Sequence, residues 1–139
     1  MKKLLNRLVA IFSIFSLLLG FSSAQARVDG NIITLGAAVS LTGKYSTNGE
    51  HTKNGYNLAV KRINDMGGVK VGGKSYKFKV KYYDDESNSK RAAQLAERLI
   101  KQDGVKFMLG PYSSGLTKAM APVTEENKIP MVEANGASR

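Results

Sequence analysis

A chain of 139 residues with no cysteine has room for one compact core and excludes disulfides, thiolate catalysis and thiolate metal sites. Its formal charge is +10, from 21 Lys and Arg against 11 Asp and Glu. The basic residues are spread along the chain rather than clustered, which reads as a solvated basic face and not as a nucleic-acid footprint.

Lys2, Lys3 and Arg7 precede an apolar run over residues 8–21, and Ala24-Gln25-Ala26 follows as a small-x-small cleavage site. This is the pattern of a secretory signal peptide over residues 1–26. The run is interrupted by Ser13, Ser16 and Gly20 and falls short of the ~20 apolar residues of a membrane span. Cleavage after Ala26 is expected to leave 139 − 26 = 113 residues with a charge of +7, from 18 basic and 11 acidic side chains. With no cysteine to carry a lipid, the expected destination is the periplasm.

Residues 32–39 form a nearly unbroken apolar run, as in a strand covered on both faces. Residues 42–49 read as a turn-rich stretch. Tyr56, Ala59, Val60, Ile63 and Met66 then recur at helical spacing, and Gly67-Gly68 stops the helix. Gly72-Gly73 marks a hairpin turn, and residues 76–82 alternate aromatic or aliphatic side chains with lysine, predicting a strand with one wet face whose lysines blunt an exposed edge.

Residues 84–89 form a polar loop with Ser87 and Ser89 as cap candidates, and Ala92, Leu95, Ala96, Leu99 and Ile100 share one face of a second helix that ends at Gly104. A third strand is expected over 105–109. A third helix carries Leu116, Met120 and Val123, is capped by Ser113 or Ser114, and is kinked or shortened by Pro122. Ile129 to Val132 begins a fourth strand. This βαβ alternation predicts an α/β fold: a parallel sheet with helices on both faces and right-handed crossovers.

In such a sheet the ligand site lies beyond the carboxyl ends of the strands, here the loops at 40–50, 84–89, 110–114 and 134–139. They are rich in serine, asparagine and glycine, the donors that hold a carboxylate at a helix N-terminus. Enzyme signatures are missing. Gly43-Lys44 is followed by Tyr45 and is preceded five residues earlier by Ala38, so it is not a phosphate loop. No dinucleotide fingerprint follows the first strand, and no serine sits in a Gly-x-Ser-x-Gly elbow. His51, the single histidine, reads as solvated surface rather than as a metal ligand. Asp84-Asp85-Glu86 reads as a solvated loop rather than as a cation site.

Leu35-Gly36-Ala37-Ala38-Val39-Ser40-Leu41-Thr42-Gly43, Ile63-Asn64-Asp65-Met66-Gly67-Gly68, Tyr83-Asp84-Asp85 and Leu109-Gly110-Pro111-Tyr112-Ser113-Ser114, taken in order, resemble the leucine/isoleucine/valine-binding family of ABC-transporter receptors. The resemblance implies a two-lobed type I periplasmic binding protein that is not an enzyme and needs no cofactor. Such a receptor closes on an amino acid or related small carboxylate and delivers it to an inner-membrane permease, acting as a monomer. Residues 27–139 would then be its Rossmann-like first lobe, with the second lobe absent from this sequence.

The resemblance also implies that a serine after the third strand and the loop after the fourth hold the ligand carboxylate. Those positions are Ser114, with Tyr112 and Ser113 beside it, and Asn135, Gly136 and Ala137; Tyr45 and Asn48 border the same cleft. Ala137 stands where the branched-chain receptors place a threonine, with Ser138 next to it. Alternative ligands are a small amide or an aromatic or aliphatic carboxylate. A secreted basic interaction domain is the reading from another class.

Overall fold

The computed structural model describes residues 28–137, so the signal-peptide assignment at 1–26 lies outside the described residues. In chain order the elements are β1 (Val28–Asp29), β2 (Ile32–Val39), α1 (Ser46–Asp65), β3 (Val69–Val71), β4 (Lys74–Asp84), α2 (Ser89–Lys101), β5 (Met108–Leu109), α3 (Ser114–Glu126) and β6 (Met131–Val132). The expected α/β architecture is what forms. β4, β2, β5 and β6 run parallel to one another in that order, and β3 adds an antiparallel edge to β4.

β2 is the centre of the sheet. β4 follows one of its edges from Ile32↔Lys77 to Val39↔Asp84, while antiparallel β1 and parallel β5 share the other edge. The β1 hairpin is an addition to the elements read from the sequence. Its turn holds Gly30 at a φ of 64°, a conformation glycine adopts without the penalty of a side chain.

Helices cover both faces, and two neighbouring tyrosines show which lies where. Successive strand residues point to opposite faces. Tyr82 donates its hydroxyl to Asn57 of α1 at 2.8 Å, whereas Tyr83 reaches Asp103, just beyond α2, at 3.0 Å. The α2 and α3 side carries the core: Ala38, Ala92, Leu95, Ala96, Leu99, Ile100, Val105, Met108, Leu116, Met120 and Ile129 form one buried cluster. Each large member, such as Leu99 or Met120, contributes about 1.5–3 kcal/mol on burial.

The α1 side differs from its sequence reading. Tyr56, Val60 and Ile63 are half-buried, but Ala59 is exposed and Met66, at 69 % exposure, lies beyond the helix end. What fixes α1 is polar. Asn64 donates to the Phe78 carbonyl at 2.7 Å and accepts from the Phe78 amide at 2.8 Å, pairing with β4 as a strand backbone would.

Two boundaries also move. α2 is capped by Asn88, whose side chain accepts from the Arg91 amide at 3.0 Å, rather than by Ser87 or Ser89; Ser87 is held in a left-handed turn with φ 59°. α3 is capped by Ser113 and runs past Pro122 to Glu126, so the proline does not shorten it.

α1 starts at Ser46, inside the stretch read as turn, and takes Asn48 and Gly49 into its first turns. The reason is a close approach. A Cβ on Gly49 would lie 1.8 Å from the Ser40 carbonyl oxygen, a backbone atom with nowhere to go. Gly49→Ala is therefore expected to destabilise the protein by at least about 1–3 kcal/mol. Gly55→Ala, in the same helix but facing open space, is expected to stabilise it by about 0.5–1 kcal/mol. Thermal denaturation of the two variants checks the contrast.

Candidate functional site

Four loops meet at the carboxyl ends of β2, β4, β5 and β6, and the first two are fastened by adjacent carboxylates. Asp84 accepts from the Leu41 amide at 2.9 Å, the Thr42 amide at 3.2 Å and hydroxyl at 2.7 Å, and the Glu86 amide at 2.9 Å. Asp85 accepts from the Ser40 hydroxyl at 2.6 Å and the Ser87 amide at 2.8 Å. Asp85 is fully buried, with its second oxygen lacking any partner among the described residues. The acidic run is thus a fastener, which corrects its reading as a solvated loop. Among the described residues no group of three or more His, Cys, Asp or Glu could hold a metal ion.

The two carboxyls respond to their settings in opposite senses. At Asp84 burial opposes ionisation, but the Thr42 hydroxyl and the amides of Glu86, Leu41 and Thr42 outweigh it and hold the group below its ordinary range. At Asp85 burial dominates and pushes the group up despite the Ser40 and Ser87 bonds.

Beside these loops lies a cleft of about 490 Å³ lined by Asn48, His51, Thr52, Gly55, Tyr56, Tyr112, Ala134 and Asn135. Of the residues expected at the site, Asn48, Tyr112 and Asn135 are brought together here. Tyr45 stands behind Tyr112, edge to face at 5.6 Å between ring centres, with the Lys44 ammonium 4.6 Å over its own ring. His51 is exposed, as read, and lies on the cleft wall. A second hollow of about 320 Å³ lies among Asp29, Thr34, Lys79, Val80, Lys81 and Asp103. Its charges already pair as Lys79 with Asp29 and Lys81 with Asp103, and none of its lining residues belongs to the four loops.

Ser113 and Ser114 begin α3 beside the cleft. Ser113 accepts from the Leu116 amide at 3.4 Å, and its backbone sits at φ 85°, ψ 142°, a conformation that costs a non-glycine residue about 1–3 kcal/mol. Ser114 accepts the Ala137 amide at 3.1 Å, tying the loop after β6 to α3. The amides of Gly136, at 2.9 Å, and of Asn135 are taken by Glu133. The amides of Asn135, Gly136 and Ala137 are therefore engaged within the chain, and what the loop turns to the cleft is Ala134 and Asn135.

Sequence reasoning passed over Thr52, Tyr56 and Glu133. Tyr56 was legible as a helix-face residue. Its hydroxyl donates to the Gly110 carbonyl at 2.8 Å, and burial, then the nearby Glu133 charge, pushes its ionisation up to about 12, so it is a neutral donor. Apart from His51, the described residues that line the cleft include no ionisable cation: the wall offers amides, hydroxyls and aromatic faces.

Two outcomes follow. Ser113→Gly is expected to raise stability by about 1 kcal/mol, since relief of strain exceeds the few tenths lost at the cap; a higher thermal midpoint reads this. Asp84, held below its ordinary value of 3.8, stabilises the fold above that pH and loses its contribution as pH falls through the depressed value. Asp84→Asn is expected to lower the midpoint at pH 7, with the difference from the native chain shrinking as pH falls below the ordinary carboxylate value.

The comparisons with known proteins agree with this geometry. Residues 32–139 match the family model described as periplasmic binding protein. The Leu/Ile/Val-binding protein homolog 3 of Brucella melitensis is 34% identical over 118 residues, covering 85% of this chain and 30% of that protein. The isoleucine complex of the branched-chain amino acid transporter substrate-binding protein LivJ from Streptococcus pneumoniae is 26% identical. It superposes with a TM-score of 0.70 over 77% of this chain and 30% of that one. A solute-binding protein of a Rhodopseudomonas palustris ABC transporter, in complex with 4-hydroxybenzoate, is 30% identical with a TM-score of 0.62, over 77% of this chain and 28% of that one. The chain thus spans about 30% of the length of these relatives. With its parallel sheet, its cleft at the strand ends and this match along residues 32–139, the chain belongs to the periplasmic binding protein family.

Proposed function

We propose that residues 27–139 are the first lobe of an extracytoplasmic receptor that captures an amino acid of the branched-chain type and hands it to an inner-membrane ABC permease. The observation that carries this is the cleft itself. It lies at the carboxyl ends of parallel strands, is walled by Asn48, Tyr112, Asn135 and Tyr56, and presents neutral donors and aromatic surface. Such a wall binds a small polar solute through hydrogen bonds and apolar contact without supplying a reactive group. Among the described residues that line it, no nucleophile is hydrogen-bonded to a base, which favours a receptor over a catalyst.

In this reading residues 1–26 direct export to the periplasm, and the second lobe of the full-length receptor closes over the solute. Hinge closure then signals the permease. Ser113, Ser114 and the Asn135 side chain meet the polar end of the solute. Tyr112, braced by Tyr45, and Asn48 line its flank, and Gly136 and Ala137 shape the wall. The receptor acts as a monomer and binds no nucleic acid. The R. palustris neighbour holds an aromatic carboxylate, so that ligand class forms the second arm of the test.

Calorimetric titration of the full-length receptor with leucine, isoleucine and valine, and then with 4-hydroxybenzoate and small amides, is expected to give saturable binding of a member of the first set. Ser114→Ala and Tyr112→Ala are each expected to weaken it about tenfold, about 1.4 kcal/mol. Saturation only by an aromatic carboxylate or amide would reassign the ligand. Silence across both sets, with salt-sensitive binding to polyanions, would replace the receptor by a basic interaction domain.

A further inference from the structure

Glu133 follows β6 and turns its carboxylate back under its own loop. One oxygen accepts the Gly136 amide at 2.9 Å and the Asn135 amide beside it, and the other accepts the Thr117 hydroxyl at 2.7 Å. Thr117 lies in the first turn of α3. Consecutive loop amides and a hydroxyl at a helix N-terminus make a nest for a carboxylate, in a place where the helix dipole favours negative charge. In a binding cleft such a nest is available to a ligand's carboxylate. Here the protein fills it.

The surroundings are shaped for the same group. A Cβ on Gly110 would lie 2.3 Å from the Glu133 carboxylate oxygen and 3.0 Å from its carboxyl carbon. Gly110 is therefore the residue that leaves this carboxylate its seat. The Gly110 carbonyl in turn receives the Tyr56 hydroxyl, so carboxylate, glycine and tyrosine form one connected support behind Asn135 on the cleft wall.

We infer that Glu133 is a positioning residue, the built-in anion of this nest, which holds loop 134–137 in its ligand-facing shape and keeps a solute's carboxylate out of it. The solute's polar end is then met by side chains, Asn135 among them, and not by the amides of Asn135 and Gly136. The affinity arm of the test rests on the receptor reading proposed above; the stability arm does not.

The experiment uses the full-length receptor and its Glu133→Ala, Glu133→Gln, Gly110→Ala and Glu133→Ala/Gly110→Ala variants. Thermal midpoints are measured with sodium acetate against sodium chloride at equal ionic strength, and affinity is measured for the best-bound solute of the calorimetric panel. Glu133→Ala is expected to lower the midpoint and to weaken binding at least about tenfold. Acetate, which fits the vacated nest, is expected to restore part of both in that variant and to leave the native protein unmoved. Gly110→Ala alone should reproduce most of the loss, and the double variant should add little to either single one.

A loss in Glu133→Ala that acetate does not touch would overturn the inference, as would native behaviour of that variant or an equal effect of acetate on the native protein. If the alanine variant does not fold, Glu133→Gln decides. It keeps an oxygen for the amides but turns an N–H donor into the support, so it is expected to weaken binding about three- to tenfold, and native affinity would refute the role. Should no solute bind the native receptor, the receptor reading fails while the acetate-dependent midpoints still decide the role of Glu133.

Discussion

The approach of α1 to the end of β2 governs the rest of the molecule. Gly49 brings the helix backbone against the Ser40 carbonyl at a separation no side chain permits. Only from that seat do Asn48, His51, Thr52 and Tyr56, on the first turns of α1, reach across the strand ends to Tyr112 and Asn135. The cleft is thus a product of backbone packing. Its chemistry is added by the side chains on the first three turns of α1 and by Tyr112 and Asn135 opposite them.

The loops show the same reuse of a few groups. Ser40 follows β2, supplies the carbonyl against which Gly49 packs and donates its hydroxyl to buried Asp85. Asp84 gathers the next two residues of that loop. Loops that carry recognition groups are held here by carboxylates at the end of a strand or one residue past it, with Glu133 after β6 repeating what Asp84 and Asp85 do at the end of β4. Each such carboxylate accepts from backbone amides of the loop that it holds.

Much of the fold was legible in the sequence because it rests on periodicity. The apolar run of β2, the aromatic and lysine alternation of β4 and the stripe of α2 each state which faces are buried, and the parallel sheet with helices on both faces follows from the βαβ alternation. Met66 was misplaced because helical spacing cannot say where a helix parts from its sheet; a polar clasp, Asn64 on the Phe78 backbone, decided that. The α1 start was misread because Gly49 looks like a turn residue and is in fact a contact residue. At the site, Asn48, Tyr112 and Asn135 were found from loop position. Glu133 was not, because a glutamate after a strand carries no pattern: its partners Thr117, Asn135 and Gly136 are assembled only by the crossing of α3 over the sheet.

One consequence of the paired aspartates concerns how the fastening behaves in acid. Asp84 is held below its ordinary range and Asp85 above it. On acidification Asp85 takes up its proton first, which relieves a buried charge and favours the folded state, before Asp84 releases its hold on Leu41 and Thr42. Gain precedes loss, and the two act on the same junction between the first and second loops. The two shifts oppose one another, so the response of that junction to falling pH is smaller than the loss at Asp84 alone would give.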